Sequence, residues 1–354
     1  MIGKGLEAGK VFGGVRRGML ALGCGIALLA LGAAQAPYAA AQDAKTGGTL
    51  IYAQDQGPDR IDPHGPGMAL QHRLIVDLPY QALLRLDENF DIVPSLATEW
   101  ETESPTSYVF KIREGVKFHD GSDLTADDVV FTFERILDPE RPSDSGVKMR
   151  SVESVTKVDD HTVRFTLKEP FAPFLRYIAA PDVTGIVSRA FTTEHDNDLN
   201  TVANGTGPFK VTEYQPGVII KMERHDQYWE EGKPYLDAVE LRIVPDDATR
   251  IAGLRTGEFH MSSFRPDKGP LIGTLRDVEV SPPLSNSVEL LWINCESAPL
   301  DRLEVRQALA WSIDKTEIAN TVQPGGGTRP TMAVPSADAT YGYQGDGSDL
   351  PFPV

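Results

Sequence analysis

The sequence predicts a mixed α/β fold, and three stretches carry that prediction. Between Pro94 and Leu137 the chain alternates at period two, with Tyr108, Phe110 and Ile112 on one face and Val109, Lys111 and Arg113 on the other. It then passes through His119-Asp120-Gly121-Ser122 into a repeat of Val129, Phe133, Ile136 and Leu137 at helical spacing. That order spells a half-buried strand, a tight turn and an amphipathic helix. Residues 151–167 read as a hairpin about Asp159-Asp160, and residues 209–224 as a second about Gln215-Pro216-Gly217, where Pro then Gly suits a type II turn. Strands thus alternate with helices in some places and with hairpins in others, and no internal repeat is visible.

The chain has 354 residues, enough for two domains of ordinary size. Lys4, Lys10, Arg16 and Arg17 form a basic segment, Gly18 to Ala34 an apolar run, and Ala39-Ala40-Ala41 a small-residue cleavage site before Gln42. Residues 1–41 are therefore expected to be a cleaved secretory signal peptide rather than a membrane anchor. Arg16-Arg17 also fits a twin-arginine signal, although paired arginines are common in ordinary leaders and the general secretory route is expected. Cys24 opens the apolar run instead of closing it, so a lipid anchor there is not expected. The formal charge is −17, and loss of the leader makes the chain more acidic still. Such a balance argues against nucleic acid and anionic membrane surfaces as partners. One cysteine, Cys295, remains after the leader, so no internal disulfide is expected and the residue is read as a small buried hydrophobe.

In order along the chain, Thr49–Gln54 reads as a strand opening into a Gly/Pro/Asp loop from Asp55 to Gly67, Met68–Val76 as a short helix, and Leu83–Leu86 as a further strand. Thr125 with Asp128 is a capping box for the helix that Asp138-Pro139 ends. Pro170–Ala179 is expected to be helical. Beyond the Asn204-Gly205-Thr206-Gly207-Pro208 segment and the second hairpin, Glu240–Val244 is a strand. A helix capped by Asp246 or Asp247 runs to Arg255 and stops at Gly257. Phe259–Ser262, Val278–Val280 and Val288–Ile293 are expected strands, with a short helix near Leu271. Asp301 with Glu304 is read as a second capping pair, and Val305, Leu309 and Ile313 as that helix's buried stripe. From Gln323 to Val354 the text is loop-like.

Local chemistry is sparse. Gly205-Thr206-Gly207 and Gly325-Gly326-Gly327 lack the Lys-Ser/Thr and the strand-to-helix setting of a phosphate loop. Asp196, Asp198 and Asn200 echo a calcium loop, but Thr201 stands where such a loop needs Gly and no Glu closes it, so a solvated acidic loop is expected. The seven histidines include no His-x-x-x-His pair, and no Gly-x-Ser-x-Gly elbow occurs.

Taken together, the pieces resemble the peptide/nickel family of solute-binding proteins that serve ABC importers (bacterial extracellular solute-binding protein family 5), the group containing dipeptide- and oligopeptide-binding proteins. The matching segments come in the family's order. They are GGTL at Gly47–Leu50, Ile61-Asp62-Pro63, then VPSLATEW, FKIREGVKFHDGS and LTADDVVFTFER between Val93 and Arg135. GTGPF at Gly205–Phe209, Tyr228-Trp229, Thr256-Gly257-Glu258 and Asp301–Lys315 complete the set.

The resemblance implies a two-lobed periplasmic-binding-protein fold with an inserted domain, closing on a ligand. By that mapping residues 42–89 and 205–281 make the first lobe, 90–204 the inserted domain, and 282–354 begin the second lobe, which relatives continue beyond Val354. It implies a periplasmic receptor, not an enzyme, for a peptide or similarly sized solute, working as a monomer with a permease and its ATPase and needing no cofactor. A nickel or metallophore receptor, an exported peptide hydrolase and an inactive fragment are the alternatives. By position the ligand-side candidates are Asp55, Gln56, Ser262, Ser263, Phe264, Arg265, Asn286 and Trp292. A cleft needs an aromatic wall with a few polar anchors, and Arg265 offers a guanidinium to a ligand carboxylate. His260 departs from the Asp that relatives commonly carry there.

Overall fold

The computed structural model describes residues 45–65, 75–141, 143–281, 291–314 and 317. The leader and Asn286 lie outside them, as does the Met68–Val76 helix apart from Ile75 and Val76, which are helical.

Two sheets organise the described chain. The first takes β1 (Thr49–Gln54), β8 (Phe209–Gln215), β9 (Ile219–Arg224), β10 (Ala238–Ile243) and β11 (Met261–Ser262) in the order β11-β1-β10-β9-β8. Within it β1 runs parallel to both neighbours, with Gln54 beside Ile243 and Ala53 beside Ser262. The β8–β9 turn has Gly217 at φ 70°, and Val218 N–H donates to the Gln215 carbonyl at 3.0 Å, as the Pro-Gly pair predicts. Phe209, Ile220, Met222, Val239 and Leu241 bury one side of this sheet with Ile61 and Ile75.

The second sheet is an antiparallel set of β4 (Ala97–Ser104), β5 (Ser107–Ile112), β6 (Val152–Asp159) and β7 (Thr162–Leu167), ordered β4-β5-β7-β6. Its inner face carries the expected alternation, Phe110 and Ile112 being buried and Lys111 exposed. On that face lies α1 (Ala126–Leu137), begun by the Thr125/Asp128 capping box with both reciprocal bonds present. Phe165 is the hub, meeting Phe133 edge-on at 4.7 Å and Phe110 at 5.2 Å between ring centroids.

Between the sheets in sequence, β2 (Leu84–Leu86) and β3 (Ile92–Pro94) form a small hairpin whose turn is held by the Asp87 carboxylate, which accepts from Asn89 and Asp91 N–H. Short helices α2 (Asp144–Lys148), α3 (Phe174–Ile178), α4 (Pro181–Thr184) and α5 (Arg189–Glu194) follow the hairpins and α1. Only Phe174–Ile178 of the expected Pro170–Ala179 helix is α-helical, with Pro173 at its N-cap; a proline disfavours the α region for the residue before it, which sets the late start. Helix α6 (Asp247–Thr256) has Asp246 as N-cap, accepting from Thr249 N–H, and Gly257 at φ 75° as stop. A short helix α7 (Gly269–Ile272) stands where Leu271 predicts one.

The structure corrects several expectations toward the end. Val278–Val280 is not a strand: Asp277 turns the chain at φ 59°, and β-formers without a neighbour to pair with do not make a sheet. Residues 291–293 are also outside any strand, and 288–290 lie outside the described residues. Helix α8 (Leu303–Ser312) has Arg302 at its N-cap, with no side-chain cap, so Asp301 stands one residue before the cap position, its N–H donating to the Ser297 carbonyl in the preceding turn. Arg306 instead donates to the Leu300 and Asp301 carbonyls, both at 2.9 Å. Val305 and Leu309 are only half-buried and Ile313 is exposed, so no buried stripe exists among the described residues. Cys295 is exposed, in a turn where Asn294 Oδ1 accepts from Glu296 N–H, and not a core hydrophobe. Among the described residues no helix is long and apolar enough to cross a membrane.

Candidate ligand-binding site

Because β1, β10 and β11 run parallel, their carboxyl ends open at one edge of the first sheet, the place where α/β sheets meet ligands. From β1 come Asp55 and Gln56; from β11 come Ser263, Phe264 and Arg265; from β10 comes the turn that caps α6. Six of the expected site residues are thereby gathered on neighbouring segments: half-buried Asp55, Ser262 and Phe264, with exposed Gln56, Ser263 and Arg265. Trp292 is 88% exposed.

Close packing shapes this edge. A Cβ on Gly57 would meet Ile243 Cδ1 at 2.5 Å, so any larger residue there would have to displace the Ile243 side chain at the end of β10. A Cβ on Gly253 would lie 2.2 Å from the Phe259 ring, which seats α6 against the start of β11. His260 exchanges bonds with β1: its Nδ1 accepts from Ile51 N–H at 3.0 Å and its own N–H donates to the Ile51 carbonyl at 2.9 Å. Its side chain therefore serves the strand pairing.

Residues beyond the expected set carry much of the geometry. Arg250, 2% exposed, donates to the Val244 and Pro245 carbonyls, pairs with Asp247 and sets its guanidinium 5.0 Å from the Phe264 ring centroid. It ties the end of β10 to Phe264. Its position three residues after Asp247 in a capped first turn was the available signal. Gln54 Nε2 and Ser262 Oγ are buried without a hydrogen-bond partner, two polar groups at strand ends that ordinary structures would satisfy. Hydrogen bonds from Thr249 hold the Asp246 carboxyl below the usual range.

The far end of the β1 loop enters a buried polar knot. Asp62 takes a two-pronged pair from Arg135 of α1, at 3.0 and 2.7 Å, a further bond from Arg141, and His64 N–H at 2.9 Å. His64 Nδ1 accepts from Arg135 at 2.7 Å and its Nε2 donates to the Gly185 carbonyl at 2.8 Å, which fixes the neutral tautomer. Burial, with the Arg135 charge beside it, pushes His64 down to about 3. Burial alone would raise Asp62, but the Arg135 hydrogen bonds and charge outweigh it and hold the carboxyl at about 2. Asn197 completes the knot, its Oδ1 accepting from Arg135 Nε at 2.6 Å and its carbonyl from Arg141 at 2.6 Å. Part of the Asp196–Asn200 stretch is thus an arginine cap. The signal in sequence was an arginine on the apolar face of α1, beside Thr132 and Ile136.

A second cluster pins the Asn204–Gly207 segment. His119 Nε2 and His225 Nδ1 both donate to the Gly207 carbonyl, at 3.1 and 3.2 Å, with ring centroids 5.0 Å apart. Asn204 exchanges two bonds with Asp120. A Cβ on Gly205 would fall 1.9 Å from the Pro79 carbonyl, which is why this segment reads Gly-Thr-Gly without any phosphate. Gln81 joins it to Tyr228-Trp229, accepting from Thr206 and from Trp229 Nε1 and donating to Tyr228. Among the described residues no three His, Cys, Asp or Glu side chains gather where they could hold a metal.

Comparison with known proteins agrees with this architecture. The family described as bacterial extracellular solute-binding proteins, family 5, middle region, matches residues 91–351. The chain is 30% identical over 367 residues to the dipeptide-binding protein of Escherichia coli K12, covering 95% of this chain and 65% of that protein. It is 33% identical over 287 residues to heme-binding protein A of Haemophilus influenzae, covering 74% and 52%. The structure of the oligopeptide-binding protein AppA of Bacillus subtilis, in complex with a nonapeptide, superposes with a TM-score of 0.74 at 28% identity, over 82% of this chain and 58% of that one. The chain therefore spans between about half and two thirds of the length of these relatives.

Proposed function

Because the chain belongs to the bacterial extracellular solute-binding proteins of family 5, whose members are binding proteins rather than enzymes, we propose that it is the periplasmic receptor of an ABC importer for a peptide or a solute of similar size. The observation that carries this reading is the convergence of the β1, β10 and β11 carboxyl ends, with the Asp55–Gln56 and Ser263–Arg265 segments side by side. In it, residues 42–89 with 205–281 form the first lobe, 90–204 the inserted domain, and residues from 282 begin the second. Residues 1–41 direct export by the general secretory route, and the receptor acts as a monomer that hands its ligand to the permease and ATPase subunits. The aromatic Phe264, set by Arg250, and the carboxylate-seeking Arg265 suit the mixed polar and apolar character of a short peptide.

Calorimetry and thermal melts of the chain with an equimolar mixture of di- to pentapeptides, a nickel chelate and haemin test the reading. Peptide is expected to raise the melting point, by an amount equal to about 2.7 kcal/mol at a hundredfold excess over Kd, and to be recovered uncut. No stabilisation by peptide would reject the assignment, and stabilisation by one of the other probes alone would move it to that ligand.

A further inference from the structure

The loop from Asp55 to Gly65 has no regular secondary structure. It leaves the sheet at the candidate ligand edge, and each of its far anchors is a segment remote in sequence. Ile61 N–H donates to the Asn200 carbonyl at 3.0 Å, and Asp62 and His64 hold Arg135, Arg141 and, through Nε2, the Gly185 carbonyl. Nearer the sheet, Tyr214 Oη donates to the Pro58 carbonyl at 2.9 Å. A loop without its own ladder takes its course from such anchors, and hydrogen bonds to a planar guanidinium fix direction as well as distance, which apolar packing does not. Burying Asp62 and Arg135 completely costs desolvation that a hydrophobic contact would avoid, so the pair is better explained by the single arrangement it enforces than by net stability.

We infer that the Arg135–Asp62 pair, with His64, Arg141 and Asn197, is a positioning device through which helix α1 and the Asp196–Asn200 turn hold the Asp55–Gly65 loop against the ligand edge. That the edge binds ligand rests on the function proposed above; that the knot sets the loop does not. The residues involved are positioning residues, none of them placed against a ligand. They explain why the chain keeps a buried arginine in the Thr-Phe-Glu-Arg segment of a helix otherwise devoted to packing.

Trypsin nicking of the Arg60–Ile61 bond, followed by mass spectrometry on the folded chain, reads loop opening without any ligand. Arg135→Lys keeps the charge and loses the fork. Asn197→Gly keeps the φ of 62° at that turn and removes the acceptor for Arg135 Nε. Nicking after Arg60 is expected to accelerate about tenfold in Arg135→Lys and about threefold in Asn197→Gly, while cleavage at other lysines and arginines keeps its wild-type rate, the mark of a local opening. Equal acceleration at all sites would show a merely structural role, and an unchanged Arg60 rate would overturn the inference. If Arg135→Lys does not fold, Asn197→Gly decides. In parallel, the Kd of wild type and variants for the peptide mixture is measured. Weaker peptide binding in the order of nicking is expected, and unaltered Kd in a variant with an open loop would overturn the link to the ligand. A wild type that binds no peptide would reject the proposed function while the nicking result still judges the loop.

Discussion

Asp62→Ala is expected to destabilise the protein by about 3–5 kcal/mol, measured by urea unfolding of wild type and variant. The carboxylate is fully buried and faces an equally buried Arg135, with Arg141 about a quarter exposed beside them. Deleting it strands a guanidinium in the interior with only Asn197 and His64 for company, and an unpaired buried charge costs far more than the intact pair contributes. The contrast lies on the surface: Glu103→Ala, which removes the exposed partner of Arg164, is expected to leave the urea midpoint close to wild type. A loss at Asp62 no larger than that at Glu103 would mean that Arg135 reaches water when its partner is removed.

Acidification should weaken the fold well before the carboxylates titrate. His64 is neutral in the folded state, where burial and the Arg135 charge push it down to about 3, while in the unfolded chain it titrates near its ordinary value of about 6.5. Half-buried His119 follows the same direction, down to about 4, through desolvation and with its neighbour His225 opposing a charge. Above the unfolded value neither state binds the proton, and the full stability is present. Below it the unfolded chain gains protons that the folded chain refuses, so stability falls with pH until the folded values are reached. Well below the unfolded value one such group loses about 1.4 kcal/mol per pH unit, so His64 costs about 2 kcal/mol between pH 6.5 and 4.5. Asp62, held near 2, keeps its stabilising contribution above about pH 4 and loses it only as the pH falls from there toward 2, in a separate window. Urea midpoints between pH 7.5 and 4.5 check this. His64→Gln should flatten the curve, and a wild-type midpoint independent of pH over that range would contradict the buried neutral imidazole.

The elements legible in the sequence are those whose determinants sit within a few residues of each other. Thr125 and Asp128, Asp246 and Gly257, and the Pro216-Gly217 turn announce themselves because a cap or turn is a local hydrogen-bonding event. The Asp301–Glu304 pair shows the limit of that logic: the same letters do not cap when the helix starts one residue later, at Leu303 after Arg302. At the candidate site the loops were legible as positions after strands, hence Asp55, Gln56 and Ser262–Arg265. Arg250, Asp62 and Arg135 were not, since their partners lie on other elements and only folding brings them together. Buried polar residues inside apolar stripes were the one advance notice.

The placement of β1 has a consequence for the order of assembly. All four strands of the second sheet fall between Ala97 and Leu167, and two of its pairings are hairpins. β1, near the start of the described chain, pairs instead with Ala238–Ile243 and Met261–Ser262. Ribosomal synthesis would therefore complete every partner of the second sheet while β1 still has no neighbour. Closing so long a loop before any contact rewards it is slow. In refolding followed by pulsed hydrogen exchange, the amides of β5 and β7 are expected to gain protection before those of β1, and simultaneous protection would contradict this order. The strand that leads into the candidate ligand edge is thus among the last to find its place, so that edge is finished only when the chain beyond Ser262 has been made.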